Sequence, residues 1–161
     1  MPTETIVFAL VTFLHDLFTV IWIGGLITLG LTVMPSAKKI LGKGPQTKKL
    51  MEAIQKRHSV WVYVSMVGLL LTGVLQANRA PAFQGLFSFG NAYSSVLTIK
   101  HILGLVMIVI TLYRSLALGS VSTPAQEKLK ILLFKMNIIL GISILILSGF
   151  TAAISSGIPV A

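Results

Sequence analysis

Residues 5–34 read TIVFALVTFLHDLFTVIWIGGLITLGLTVM, and this run decides the fold class. It is apolar over more length than the ~20 residues a helix needs to cross ~30 Å of hydrocarbon. A single adjacent polar pair, His15 and Asp16, interrupts it. Three further runs of the same kind follow, so membrane spans are expected at about 6–34, 58–78, 96–118 and 130–155. The first exceeds the bilayer and must tilt or project from it. Composition agrees. The 161 residues are 55% hydrophobic and 11% charged, too little charge to cover a soluble domain of this size.

The net charge of +9 could suggest nucleic acid, but its distribution argues for a membrane. Lys38, Lys39, Lys43, Lys48, Lys49, Lys56 and Arg57 crowd the first loop, and Arg114, Lys128, Lys130 and Lys135 flank the third. Only Arg79 and Lys100 lie toward the other side. The positive-inside rule puts both basic loops in the cytoplasm and both termini outside, as expected of a multi-pass plasma-membrane protein. The basic face should attract anionic headgroups, and no nucleic-acid partner is expected. The N-terminus MPTET lacks a basic n-region and the first run is too long for an h-region, so no cleavable signal is expected. Cysteine is absent, which removes thiolate metal sites, iron–sulfur clusters and covalent haem attachment.

No domain boundary shows in the sequence. Short connections predict an all-α, four-helix up-down-up-down transmembrane bundle forming one domain over residues 1–161. The stretch TKKLMEAIQKRHS extends the second helix beyond the bilayer in this reading. The second loop, NRAPAFQGLFSFGNAYSS, is apolar and should lie on the membrane surface or fold over the bundle end, with Pro81 stopping the second helix. Ser122 or Thr123 before Pro124 resembles an N-cap followed by proline at the first helical position. Glycines punctuate every span: Gly24, Gly25, Gly30, Gly68, Gly73, Gly104, Gly141 and Gly149. They allow close helix approach, and they can also leave room for a flat cofactor.

Histidine is the residue that bears on chemistry. An imidazole in hydrocarbon is costly unless paired or ligated. His15 lies about 15 Å along the first span and His101 about 8 Å along the third, depths that match within the uncertainty of the span starts. In a four-helix ring these helices are diagonal, so the two histidines are expected as axial ligands of one outer-leaflet haem b. Trp22 and Gly25 on the first helix, and Gly104 on the third, would line its pocket. The bland alternative is that each imidazole satisfies a backbone carbonyl or a neighbour. Asp16 and Lys100 flank the histidines. They can pair with each other, hydrogen-bond the ligands or a propionate, or, for Lys100, snorkel to the headgroups. His58 stands at the cytoplasmic entrance of the second span, where a surface role competes with a second, weaker metal site formed with Met136. No Ser-His-Asp elbow, H-E-x-x-H or phosphate loop is present.

The segments LHDLFTVIWIGGLI, KRHSVWVYVSMVGLLLTGVLQA and LTIKHILGLVMIVITLYRSL resemble the CopD (copper resistance D) membrane domain family. The cues are His15 before Trp22-Ile23-Gly24-Gly25, then Leu71-Thr72-Gly73, Lys100 and Arg114. The arrangement is also similar to HemJ-type protoporphyrinogen oxidases, four-span haem-binding proteins whose key histidine and lysine fall on His15 and Lys100. This chain departs from both patterns. Full CopD proteins commonly have about twice as many spans, no methionine-rich copper motif stands here, and His101 matches neither family. The first expectation is therefore a haem-binding electron-transfer protein, serving a quinone or a redox subunit and able to assemble as a homo-oligomer. Two alternatives stay open: haem-dependent oxidation of protoporphyrinogen or a quinol, implied by the HemJ resemblance, and copper transport, implied by CopD.

Overall fold

The computed structural model describes residues 2–119 and 123–156. They are all-helical, with no strand among the described residues. Four helices are long and apolar enough to cross a membrane: α1 (Thr3–Leu41), α2 (Pro45–Ala77), α3 (Ala92–Leu116) and α4 (Pro124–Ser155).

Each helix ends for a local reason. The Pro2 carbonyl accepts the Thr5 amide at 3.0 Å, opening α1. Gly42, at φ 73°, closes it, since a left-handed backbone is cheap only for glycine. α1 passes straight through Pro35, seven residues beyond the expected end near 34. Proline brings no N–H to the helical ladder, and a π-helical turn, Leu29–Val33, ends two residues before it. A second π turn spans Val20–Gly24. Pro45 opens α2 at a position where its missing N–H costs nothing, and the Thr47 hydroxyl donates to the Gly42 carbonyl at 2.7 Å, fixing the turn. α2 thus starts thirteen residues before the span boundary at 58, as the extension over TKKLMEAIQKRHS required. At ~1.5 Å per residue both helices exceed the hydrocarbon thickness. Their linked ends carry exposed Lys38, Lys39, Lys43, Lys48, Lys49, Lys56 and Arg57.

Packing divides the chain into two units, Met1–Gln76 and Ala77–Ala161. In the first, α1 and α2 run antiparallel, since His15 meets Thr72 while Gly25 meets His58. In the second, α3 and α4 run antiparallel, since Lys100 meets Ser148 while Thr111 meets Asn137.

The apolar second loop folds onto α3. Asn91 caps the helix by accepting from the Ser94 amide at 2.7 Å. The Ser94 hydroxyl also accepts from the Gln84 amide at 3.1 Å, and Thr98 donates to the Ser88 carbonyl at 3.0 Å. Phe83 packs on a cluster of Ala77, Tyr93 and Leu97, joined by Ala80 and Ile154. Phe87 and Phe89 stay exposed. At the start of α4, Thr123 and Gln126 form a reciprocal capping box with Pro124 in the first turn; Ser122 lies outside the described residues.

Candidate functional site

The seam between α1 and α2 is a ladder. His15, Phe18, Trp22 and Gly25 recur at helical spacing and share one face of α1. Thr72, Gly68, Ser65 and His58 do the same on α2. Three rungs meet directly. His15 Nδ1 lies 2.9 Å from Thr72 Oγ1. A Cβ at Gly68 would overlap the Phe18 ring, and one at Gly25 would overlap the His58 imidazole. His15 Cε1 also rests where Gly73 has no side chain, 3.5 Å from the place a Cβ would occupy. Gly25, Gly68 and Gly73 therefore admit rings from the facing helix. Gly25, expected to make room for a cofactor, makes room for His58 instead.

Thr72 decides the tautomer of His15. A hydroxyl has one hydrogen. The Thr72 hydroxyl donates it to the Gly68 carbonyl at 2.6 Å. Its lone pair is what remains for His15, so Nδ1–H donates to Thr72 and Nε2 carries the imidazole lone pair. Thr19 Oγ1 donates to the His15 carbonyl at 2.9 Å from the next turn.

His101 reaches the same state by a different route. Its Nδ1 lies 2.8 Å from the Leu97 carbonyl one turn back, and a carbonyl only accepts. Nδ1 therefore bears the hydrogen and Nε2 the lone pair. This is the backbone-carbonyl contact of the bland reading. It is also the contact that orients metal-ligating histidines. Gly104, three residues on, faces open space: nothing lies within 4 Å of a Cβ built there.

The other expected site residues fall as follows. Lys100 Nζ donates to Ser148 Oγ on α4 at 3.2 Å. Asp16 is exposed on α1, between exposed Phe13 and Leu17. Trp22 is 4% exposed, and its Nε1 has no hydrogen-bond partner. His58 Nε2 is buried and unpartnered too. Met136 is exposed on α4, and it and His58 belong to different units. Its neighbour Asn137 is the buried residue there, donating to Thr111 Oγ1 at 2.8 Å. Arg114 stacks its guanidinium 5.0 Å from the Phe134 ring centroid, a cation–π contact. Among the described residues no three of His, Asp or Glu gather as a metal cluster.

Thr72 and Ser148 are the polar partners that the sequence did not single out. Thr72 stood inside the Leu71-Thr72-Gly73 cue, but its role depends on the register of two helices. No family model, curated protein or solved structure matches this chain.

Proposed function

We propose that this is a b-type haem-binding membrane protein whose work is electron transfer, and that His15 and His101 are the residues that would hold the haem. In this reading the four helices form an up-down-up-down bundle with both termini outside and the basic loops in the cytoplasm. The observation that carries the proposal is shared by the two histidines. Each has Nδ1–H engaged by a protein oxygen, Thr72 Oγ1 or the Leu97 carbonyl, which makes Nε2 the basic nitrogen that would hold the iron. An N–H so engaged fixes ring orientation and raises the basicity of the other nitrogen. Gly104 beside His101 gives a flat group access to the helix backbone. When bound, a haem with two imidazoles exchanges one electron between ferric and ferrous states. Lys100, held by Ser148 beside His101, supplies positive charge suited to a propionate.

The deciding measurement is the visible spectrum of detergent-purified protein, oxidised and then reduced. Sharpened bands on reduction are expected, and they should be lost in both H15A and H101A. A colourless protein, or bands that survive both substitutions, overturns the assignment.

A second reading is haem-dependent oxidation of a porphyrinogen or quinol. What favours it is Lys100 itself, a cation inside a span, where charge is kept for function. Rescue of a strain lacking porphyrinogen oxidase, abolished by K100M, would establish it. Good expression without rescue would remove it.

A further inference from the structure

Two phenyl rings stand out on the loop between α2 and α3. Phe87 and Phe89 are 64% and 65% exposed, while Phe83 of the same loop packs on Ala77, Tyr93 and Leu97. The backbone around 87 and 89 is irregular. Irregular backbone belongs outside hydrocarbon unless protein groups satisfy its N–H and C=O groups.

Here protein groups do so. The Ala82 carbonyl accepts from Asn91 Nδ2 at 2.8 Å and from the Ser94 hydroxyl at 3.2 Å. The Gln84 amide donates to Ser94 Oγ at 3.1 Å. Thr98 Oγ1 lies 3.3 Å from the Leu86 carbonyl and 3.0 Å from the Ser88 carbonyl. The Phe83 amide closes a turn on the Ala80 carbonyl at 3.0 Å. Ser94 and Thr98 are both wholly buried. Two hydroxyls of a spanning helix are therefore committed to the loop backbone, and the rings at 87 and 89 are left at the surface.

The depth of this contact follows from α3 itself. Tyr93 is hydrogen-bonded to Ser155 near one end of the α3–α4 hairpin, and Arg114 is stacked on Phe134 near the other. Tyrosine and arginine both favour the edges of the hydrocarbon. Along α3 the two residues are about 31 Å apart, which matches its ~30 Å thickness. Thr98 is five residues inside the Tyr93 edge, about 7 Å. A carbonyl within hydrogen-bond reach of Thr98 lies below the headgroups, and the chain at 86–88 is drawn down with it.

We infer that residues 86–89 form a wedge that enters the lipid at the Tyr93 end of this hairpin, with Phe87 and Phe89 at the boundary of headgroups and acyl chains and Thr98 holding them at that depth. The partner of this apolar surface is the bilayer. Apolar faces of interfacial helices bury ~5–10 Å into the same boundary, and the level of Thr98 falls in that range. Two rings at these exposures offer about 300 Å², well short of the ~800 Å² a side that a stable protein interface buries. His101 is three residues beyond Thr98, so the wedge also sets how deep that imidazole sits. The inference rests on the spans and not on the haem.

The absence of cysteine makes the test direct. F87C and F89C are made singly in the full chain, labelled with an environment-sensitive fluorophore and placed in lipid nanodiscs. Iodide quenches from water, and lipids with a nitroxide near the headgroup or near the chain end quench from the bilayer. K49C, exposed among the lysines between α1 and α2, gives the water standard, and V109C, 65% exposed in mid-α3, gives the hydrocarbon standard. The labels at 87 and 89 should lose most of the iodide quenching seen at K49C. They should respond more to the shallow nitroxide than to the deep one, the reverse of V109C. Either position suffices if the other variant does not purify as a helical, monodisperse protein. Iodide quenching equal to that of K49C, with no response to nitroxides, overturns the wedge. Protection from every quencher overturns it too, since protein would then cover the rings. T98V, combined with F89C, should move the label toward water and restore iodide quenching. An unchanged depth there overturns the anchoring by Thr98.

Discussion

The two hairpins hold their intramembrane histidines in opposite ways. In α1–α2 the His15 ring is oriented by Thr72, a side chain on the facing helix. In α3–α4 the His101 ring is oriented by the Leu97 carbonyl of its own helix. The same contrast runs through the packing. The first hairpin closes by rings entering glycine notches, at Gly25, Gly68 and Gly73. The second closes by polar bridges, Lys100 to Ser148 and Asn137 to Thr111, with Arg114 stacked on Phe134. Gly104 and Gly149, its counterpart glycines, meet nothing. A histidine held across an interface depends on helix register. One held by its own backbone needs only the helix.

That difference can be broken most sharply at Thr72. T72V keeps the shape and removes the acceptor for His15 Nδ1–H. On the haem reading, affinity should fall about 10- to 100-fold, as for other lost partners of ligating histidines. Haem titration with the absorbance spectrum as readout checks this. No side-chain deletion can do the same to His101, so S148A, which removes a hydroxyl bonded to Lys100 and the Ile144 carbonyl and to neither histidine, should leave the affinity within about threefold.

Packing offers the next largest effect. G68A puts a Cβ into the Phe18 ring and should destabilise by about 1–3 kcal/mol. Thermal unfolding in detergent reads it, and F18L should restore part of the loss in G68A. G104A meets open space and should stay within about 0.5 kcal/mol. Equal losses in the two variants would erase the contrast between the hairpins. At the entrance to α4, T123A removes one half of the capping box and should cost about 1 kcal/mol. Asn137 is milder than the cap. N137L removes the bridge to Thr111 and should cost about 0.6 kcal/mol, the average for interhelical hydrogen bonds in membranes.

Much of the fold was legible because its causes are local. Four apolar runs, the extension over TKKLMEAIQKRHS and Thr123 before Pro124 each act through near neighbours in sequence. The first span nevertheless ran on to Leu41, because Pro35 could be accommodated beside a π turn that no apolar period announces. The candidate site was legible in part. His15 and His101 stood out by the cost of an imidazole in hydrocarbon. Gly25 was read as cofactor space, but the ring it admits comes from His58, 33 residues away in the chain.

The sequence by itself determined that this protein is helical, that four segments suit a bilayer, and that polar groups inside them are few enough to matter individually. Hydrophobic length and end signals suffice for that, since both are properties of a segment alone. Only the tertiary structure decided which nitrogen of His15 keeps its lone pair, which glycines are filled, and which buried polar atoms are left without partners. Those depend on the register of one helix against another. A shift of one residue turns a side chain about 100° away from its rung, and apolar composition alone does not fix that register.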